Sequence, residues 1–355
     1  MTETRVEPAS TQTSPRPSPG PEPGRRQLLH SAVIAGTGFD VPERVMTNAE
    51  LEKLVETSDQ WIVERTGMKE RRIAAPEEAA SDFALAASRR ALADAGVKPE
   101  EIDLIIVATV TGDMHFPSTS CILQDRLGAK HAAAMDVSAG CTGFIYALAT
   151  ARQFIATGEY RTVLVVGVEV LSKITDWTDR GTCVLLADGA GAAVLKASGD
   201  ADRGILASYL AADGSHGPDL CMPAGGSRIP TTVESVKNRL HYLKMNGNAI
   251  FKVAVRSMAE SVNRLLRVAK LRAEDVKLLI PHQANLRIIE ATAKLLGFPM
   301  ERVFVNIHKY ANTSSATTII ALDEARRTGR IAAGDVVVMV AFGAGLTWGG
   351  VAIRW

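Results

Sequence analysis

One unit of this chain recurs in register. Arg90-Ala91-Leu92-Ala93-Asp94-Ala95-Gly96-Val97-Lys98-Pro99-Glu100-Glu101-Ile102-Asp103-Leu104-Ile105-Ile106 aligns without a gap on Arg264-Leu265-Leu266-Arg267-Val268-Ala269-Lys270-Leu271-Arg272-Ala273-Glu274-Asp275-Val276-Lys277-Leu278-Leu279-Ile280, 174 residues further on. Each copy reads as the end of a helix, a short acidic turn and an apolar run of the kind buried on both faces of a sheet. At almost the same offset Val163-Leu164-Val165-Val166 matches Val336-Val337-Val338-Met339. Each of these leads into a Gly-rich turn and a final strand, Gly191 to Lys196 and Gly349 to Trp355. A period this long excludes a solenoid and predicts two packed α/β halves related by a pseudo-twofold axis. A site at their seam draws residues from both, since α/β sheets place ligands at strand C-termini.

The rest of the chain fits around that duplication. Residues 1–26 hold six prolines among Ser, Thr and Gly and little that could join a core, which predicts a disordered extension. Arg25-Arg26 before Leu28-Leu29 faintly suggests an export signal. The next apolar run, from Ser31, alternates into a Gly-rich turn and reads better as a first strand. A first half over 27–203 and a second over 204–355 are expected. Asn48 to Arg65 reads as one helix with Trp61 and Arg65 on one face, Ser81 to Ala95 as a second, and Ile102 to Thr109 as a buried strand. With 46% apolar and 22% charged residues the chain is an ordinary globular one, and a net charge of +1 speaks against binding nucleic acid through phosphates. The four cysteines lack the spacing of a metal site or disulfide framework and fit a reducing cytoplasm. No apolar run approaches the ~20 residues that span a bilayer.

Four stretches carry candidate chemistry. In Asp136-Val137-Ser138-Ala139-Gly140-Cys141-Thr142-Gly143-Phe144 a cysteine precedes a helical run from Phe144 to Ile155. Unpaired N–H groups and the helix dipole there favour thiolate and a nucleophile, although a free cysteine is also a common small buried hydrophobe. In the second copy the buried strand runs into Pro281-His282-Gln283-Ala284-Asn285, so His282 arrives at a strand end, placed to exchange a proton near pH 7 or to satisfy a loop backbone. Asn312-Thr313-Ser314-Ser315-Ala316-Thr317 opens the helix Thr318 to Arg327, roughly where the Cys141 stretch stands in the first half. Asn312 reads locally as a helix cap. Phe342-Gly343-Ala344-Gly345 lets backbone approach a ligand and could offer an N–H to an oxyanion.

A cysteine in one half with His and Asn in the other resembles the thiolase-like condensing enzymes, and in detail the β-ketoacyl-acyl carrier protein synthase III family. The resemblance runs from about Ser31 to Trp355. It rests on Thr57-Ser58-Asp59-Gln60-Trp61-Ile62-Val63-Glu64-Arg65-Thr66-Gly67, Thr178-Asp179-Arg180-Gly181-Thr182, Asp188-Gly189-Ala190-Gly191-Ala192, Pro281 to Arg287 and Ala341 to Gly349. It implies a duplicated five-layered αβαβα fold and a cofactor-free homodimer in which acyl-CoA is a substrate. Cys141 would take the acyl group, His282 and Asn312 would stabilise the enolate of a decarboxylating malonyl-acyl carrier protein, and backbone N–H groups of Cys141 and Ala344 would hold the oxyanion. Trp61 and Arg180 match the pair that sandwiches the CoA adenine, and Arg65 matches a phosphate contact. Lys252, Arg287 and Lys294 match the patch that meets the acidic carrier protein. Phe116 matches a ring that crosses the dimer interface and closes the acyl pocket, implying a short primer such as acetyl, and Leu220 borders that pocket.

Other readings share parts of this pattern. Starter-condensing enzymes of polyketide or quinolone biosynthesis carry the same Cys-His-Asn set. A thiolase has a second catalytic cysteine where this chain has Gly343-Ala344-Gly345; a 3-hydroxy-3-methylglutaryl-CoA synthase has a glutamate with no clear match here; chalcone synthase-like enzymes lack the Trp61 and Arg180 marks. Outside catalysis stand a silent paralogue acting as a subunit, and a nucleotide-binding protein suggested by Gly36-Thr37-Gly38, which lacks the third glycine of that fingerprint.

Overall fold

The computed structural model describes residues 30–355, so the Pro-rich extension expected over 1–26 lies outside the described residues. The first sheet is built from β1 (Ser31–Asp40), β2 (Leu104–Ala108), β3 (Ala133–Val137), β4 (Thr162–Val170) and β5 (Asp188–Ser198), in the order β1-β5-β4-β2-β3. The second holds β6 (Gly204–Ala212), β7 (Val276–Pro281), β8 (Val336–Gly343) and β9 (Thr347–Arg354), in the order β6-β9-β8-β7. The two orders superpose strand for strand. In each sheet the repeated apolar run pairs in parallel with the strand of the second match, β2 with β4 and β7 with β8. Only β3 lacks a counterpart strand; an isolated bridge from Leu279 to Val303 stands in its place. β3 is therefore an edge, and its residues are exposed or half-buried.

Seven helices of eight residues or more complete the described fold: α1 (Asp59–Thr66), α2 (Ala80–Ala95), α3 (Thr119–Leu127), α4 (Gly143–Ala156), α5 (Gly247–Ala269), α6 (Leu286–Leu296) and α7 (Thr317–Arg327). α4 and α7 lie between the sheets. Phe144, Ile145, Leu148 and Ile155 of α4 and Ile319 and Leu322 of α7 share one core with strands of both halves. α2 and α3 cover the outer face of the first sheet, α5 and α6 that of the second, giving five layers in the order α, β, α, β, α. Composition follows layer: α4 is apolar almost all round because it is buried, whereas α5 buries the stripe Ile250, Ala254, Met258, Val262 and Leu265 and shows solvent the opposite face.

The helix expected over Asn48–Arg65 is two pieces, Asn48–Leu51 and α1. Ser58 breaks it: its backbone is extended and its hydroxyl accepts the Trp61 N–H at 3.1 Å, starting a new helix there. Gly36 and Gly38 have a packing role. A Cβ on either would sit 2.4 Å from Ala95 N or 2.6 Å from Ala91 N, so they let β1 lie directly on α2 and do not form a phosphate loop.

Candidate active site

Cys141 lies in a 3₁₀ turn, Gly140–Thr142, that leads into α4. The turn packs backbone to backbone on the end of β8. Gly140 is left-handed (φ +53°), and a Cβ there would lie 2.9 Å from Ala344 N; a Cβ on Gly343 would lie 2.5 Å from Cys141 N. Thr347 Oγ1 donates to Ala139 O at 2.9 Å and locks the seam. The N–H groups of Cys141 and Ala344 both reach the sulfur. Even so, burial pushes the thiol up to about 11, against those hydrogen bonds. The expectation of a resting thiolate is thus corrected, because desolvation outweighs the helix end.

The second half brings His282 and Asn312 to the same place. His282 is 2% exposed, and burial lowers its pKa to about 3. The imidazole is neutral at pH 7 and serves as a hydrogen-bonding group, which corrects the expectation of a titrating histidine. Its Nδ1 lies 2.6 Å from Thr317 Oγ1, leaving Nε2 for the cavity. Asn312 is not the helix cap expected of it, since Ala316 holds the N-cap of α7 and Thr313 that of the 3₁₀ turn before it. The Asn312 backbone bridges to the first half through Leu185 and Ala187, and its Oδ1 accepts the Ser314 N–H at 2.8 Å, which turns Nδ2 the other way. Ser314 itself is a non-glycine residue at φ +48°. Its carbonyl lies 3.0 Å from Thr317 Oγ1, a second acceptor for that hydroxyl beside His282 Nδ1, and its own hydroxyl donates to Glu169 Oε1 at 3.1 Å.

Cys141, His282 and Asn312 line one cavity of about 130 Å³, together with Leu220, Phe251 and Phe342. A smaller apolar cavity of about 70 Å³ continues past Cys141 toward Val110, Leu171 and Leu186. The larger one shares Leu185, Gly247, Phe251 and Asn285 with an open cleft of about 570 Å³. Trp61, Arg65, Arg180, Lys252 and Arg287 line that cleft. The Arg180 guanidinium stands 5.0 Å and that of Arg65 5.4 Å from the Trp61 ring centroid, and Arg180 donates to Glu56 O at 2.8 Å. Lys294 is exposed two turns along α6 from Arg287 and outside the cleft. Phe116 lines neither cavity of its own chain; its ring is 85% exposed, beside exposed Met114.

The family models for 3-oxoacyl-[acyl-carrier-protein] synthase III match residues 135–214 and, for its C-terminal part, 266–355. A β-ketoacyl-[acyl-carrier-protein] synthase III of Caldanaerobacter subterraneus is 56% identical over 325 residues, 92% of this chain and 98% of the relative. The chain belongs to the β-ketoacyl-acyl carrier protein synthase III family. The solved synthase III of Aquifex aeolicus superposes with a TM-score of 0.85 at 48% identity, covering 91% of this chain and all of that one. The priming β-ketosynthase of the R1128 polyketide pathway superposes at 0.86 with 36% identity over 94% of this chain and 98% of that one.

As a synthase III family member the chain is a condensing acyltransferase of fatty acid synthesis, on the thiolase-like fold. Among the described residues no helix is long and apolar enough to cross a membrane. Sequence reasoning missed Glu169, Ser314 and Thr317. The one signal for Ser314 was the repeat itself: 174 residues separate it from Gly140, and both are left-handed.

Proposed function

We propose that the enzyme joins a short acyl-CoA primer, acetyl-CoA in the first instance, to malonyl-acyl carrier protein, giving 3-oxoacyl-acyl carrier protein, CoA and CO₂. The observation that carries this reading is the convergence of Cys141, His282 and Asn312 on one buried cavity reached through a cationic cleft. Trp61 and Arg180 are read as a clamp for the flat base of CoA, with Arg65 toward its phosphate. Acyl transfer then forms the Cys141 thioester, with the carbonyl oxygen on the N–H groups of Cys141 and Ala344. After CoA leaves, the malonyl thioester carbonyl lies against His282 Nε2 and Asn312 Nδ2. Both donate to the enolate as CO₂ departs, and the carbanion attacks the Cys141 thioester; losing one such donor typically costs roughly 3 kcal/mol of barrier.

Lys252, Arg287 and Lys294 are all exposed at or beside the mouth and suit an acidic carrier protein. The free edge of β3 and the exposed Val110, Met114 and Phe116 support a homodimer in which Phe116 enters the partner's acyl pocket. The small cavity behind Cys141 favours a short primer. No resident cofactor is invoked, and a cytoplasmic location follows from this substrate set.

Intact-mass analysis after mixing with single acyl-CoAs, followed by peptide mapping, tests the reading. Rapid single acylation at Cys141 by acetyl-CoA is expected. Acylation by long-chain or aromatic CoAs alone would move the enzyme to polyketide priming, the role of the R1128 priming β-ketosynthase. A stable acyl group on a Cys141→Ser variant would refute the nucleophile, and undiminished malonyl decarboxylation by His282→Ala would remove His282 from its role.

A further inference from the structure

A thiol held protonated by burial must lose its proton during acylation, and a histidine held neutral at pH 7 by burial is a poor sink for it. One other acid lies within reach. Glu169, at the end of β4, is fully buried and faces the Cys141 turn. Its Oε2 accepts Thr111 Oγ1 at 2.5 Å and the Val110 N–H at 3.1 Å, with Thr109 Oγ1 at 3.4 Å. Its Oε1 faces Ser314 Oγ at 3.1 Å and the Val110 N–H at 3.3 Å. Among the described residues no Lys, Arg or His pairs with it; the titratable side chain that faces it is the Cys141 thiol. The Ser314 hydroxyl also lies against the Cys141 sulfur and lines the same small cavity. Ser315 also bonds to Glu169, but among the described residues Ser314 is the hydroxyl that touches both thiol and carboxyl, held there by a left-handed backbone that favours glycine.

We propose that Ser314 and Glu169 form a proton relay for the acylation half-reaction. As Sγ bonds to the acyl carbon, its proton passes to Ser314 Oγ, whose own proton passes to Glu169 Oε1. When the bond from the acyl carbon to the CoA sulfur breaks, the leaving thiolate takes that proton back through Ser314, and Glu169 is a carboxylate again. Ser314 touches the reacting atom; Glu169 acts through Ser314. Desolvation raises Glu169 to about 7, so both of its forms exist near neutrality, as a relay requires.

This inference rests on Cys141 being the acylated residue, and the experiment separates the two. Single-turnover acylation by acetyl-CoA is followed by intact mass from pH 5 to pH 10. The parent enzyme is expected to show a rising limb near neutrality. Glu169→Gln is expected to lose that limb, slow by about 10²-fold at pH 7 and recover only as the thiol ionises in alkali. Ser314→Gly, which suits the positive φ and keeps both backbone contacts, is expected to behave alike, and the double variant to be no slower than either single one. A parent-like rate and profile in Glu169→Gln or Ser314→Gly, or additive losses, would overturn the relay. A parent enzyme acylated away from Cys141 would instead overturn the underlying reading. Should Glu169→Gln fail to fold, Ser314→Gly carries the test alone.

Discussion

At the scale of single residues, the site works by where protons are held. Thr317 has one hydroxyl proton and two acceptors, the Ser314 carbonyl at 3.0 Å and His282 Nδ1 at 2.6 Å. Donation to Nδ1 would leave Nε2–H pointing into the cavity, the tautomer that the proposed enolate stabilisation requires. Thr317→Val keeps the shape and removes the donor; it is expected to lower malonyl decarboxylation roughly 10- to 100-fold and leave Cys141 acylation within a few-fold, checked by CO₂ release and intact mass on the same preparation. Glu169 makes a separate claim about stability. Its folded pKa is raised from 4.5 to about 7, so the folded state holds this proton more tightly than the unfolded one, and folding loses stability as pH rises across that interval. Glu169→Gln removes the loss and is expected to gain on the parent by up to roughly 3 kcal/mol between pH 4 and pH 8, read as the difference in urea midpoints. These residues were hidden in the sequence for a simple reason. Ser314 and Glu169 stand 145 residues apart, and nothing local marks either as a partner of Cys141. The cysteine itself was legible, but its acidity was misread, because helix position is local and desolvation is not.

At the scale of elements, the duplication was legible wherever both copies spend the same residue types on the same task. Apolar runs buried on two faces allow little else, so β2 and β7 kept their pattern, and so did β4 and β8. It was illegible where a backbone demand is met by different residues. The left-handed residue after α2 is Gly96, φ +62°, and its counterpart after α5 is Lys270, φ +55°. A Cβ in that conformation is crowded by the following carbonyl. Lys270 is exposed, so Lys270→Gly is expected to stabilise the enzyme by about 1 kcal/mol, visible as a higher denaturant midpoint at unchanged activity. The break between Asn48–Leu51 and α1 escaped notice for a related reason: Thr57-Ser58-Asp59 continues an acceptable helical pattern, and only the Ser58 hydroxyl turned on the Trp61 N–H shows the restart.

For the whole molecule, the active centre is a property of the seam. Cys141, Glu169, Trp61 and Arg180 come from the first half, His282, Asn312, Ser314 and Ala344 from the second, and a chain of packed cavities joins the thiol to the outside. In the proposed homodimer Phe116 would extend this beyond one chain, since its exposed ring lines neither cavity of its own chain. Phe116→Ala is expected to let Cys141 accept longer acyl-CoAs across the same mass-spectrometric panel; an unchanged panel would remove Phe116 from the acyl pocket.

The backbone contact between Gly140, Gly343 and Ala344 also bears on how the enzyme comes into being. A ribosome delivers Cys141 long before His282, Asn312 or Ala344, and N-terminal units fold first. Throughout that interval the nascent chain carries the thiol without the His282, Asn312 and Ala344 groups that the proposed chemistry uses. The proposed chemistry needs the second sheet closed on the first half, so a chain cut before β7 would keep Cys141 without His282, Asn312 or the Ala344 N–H.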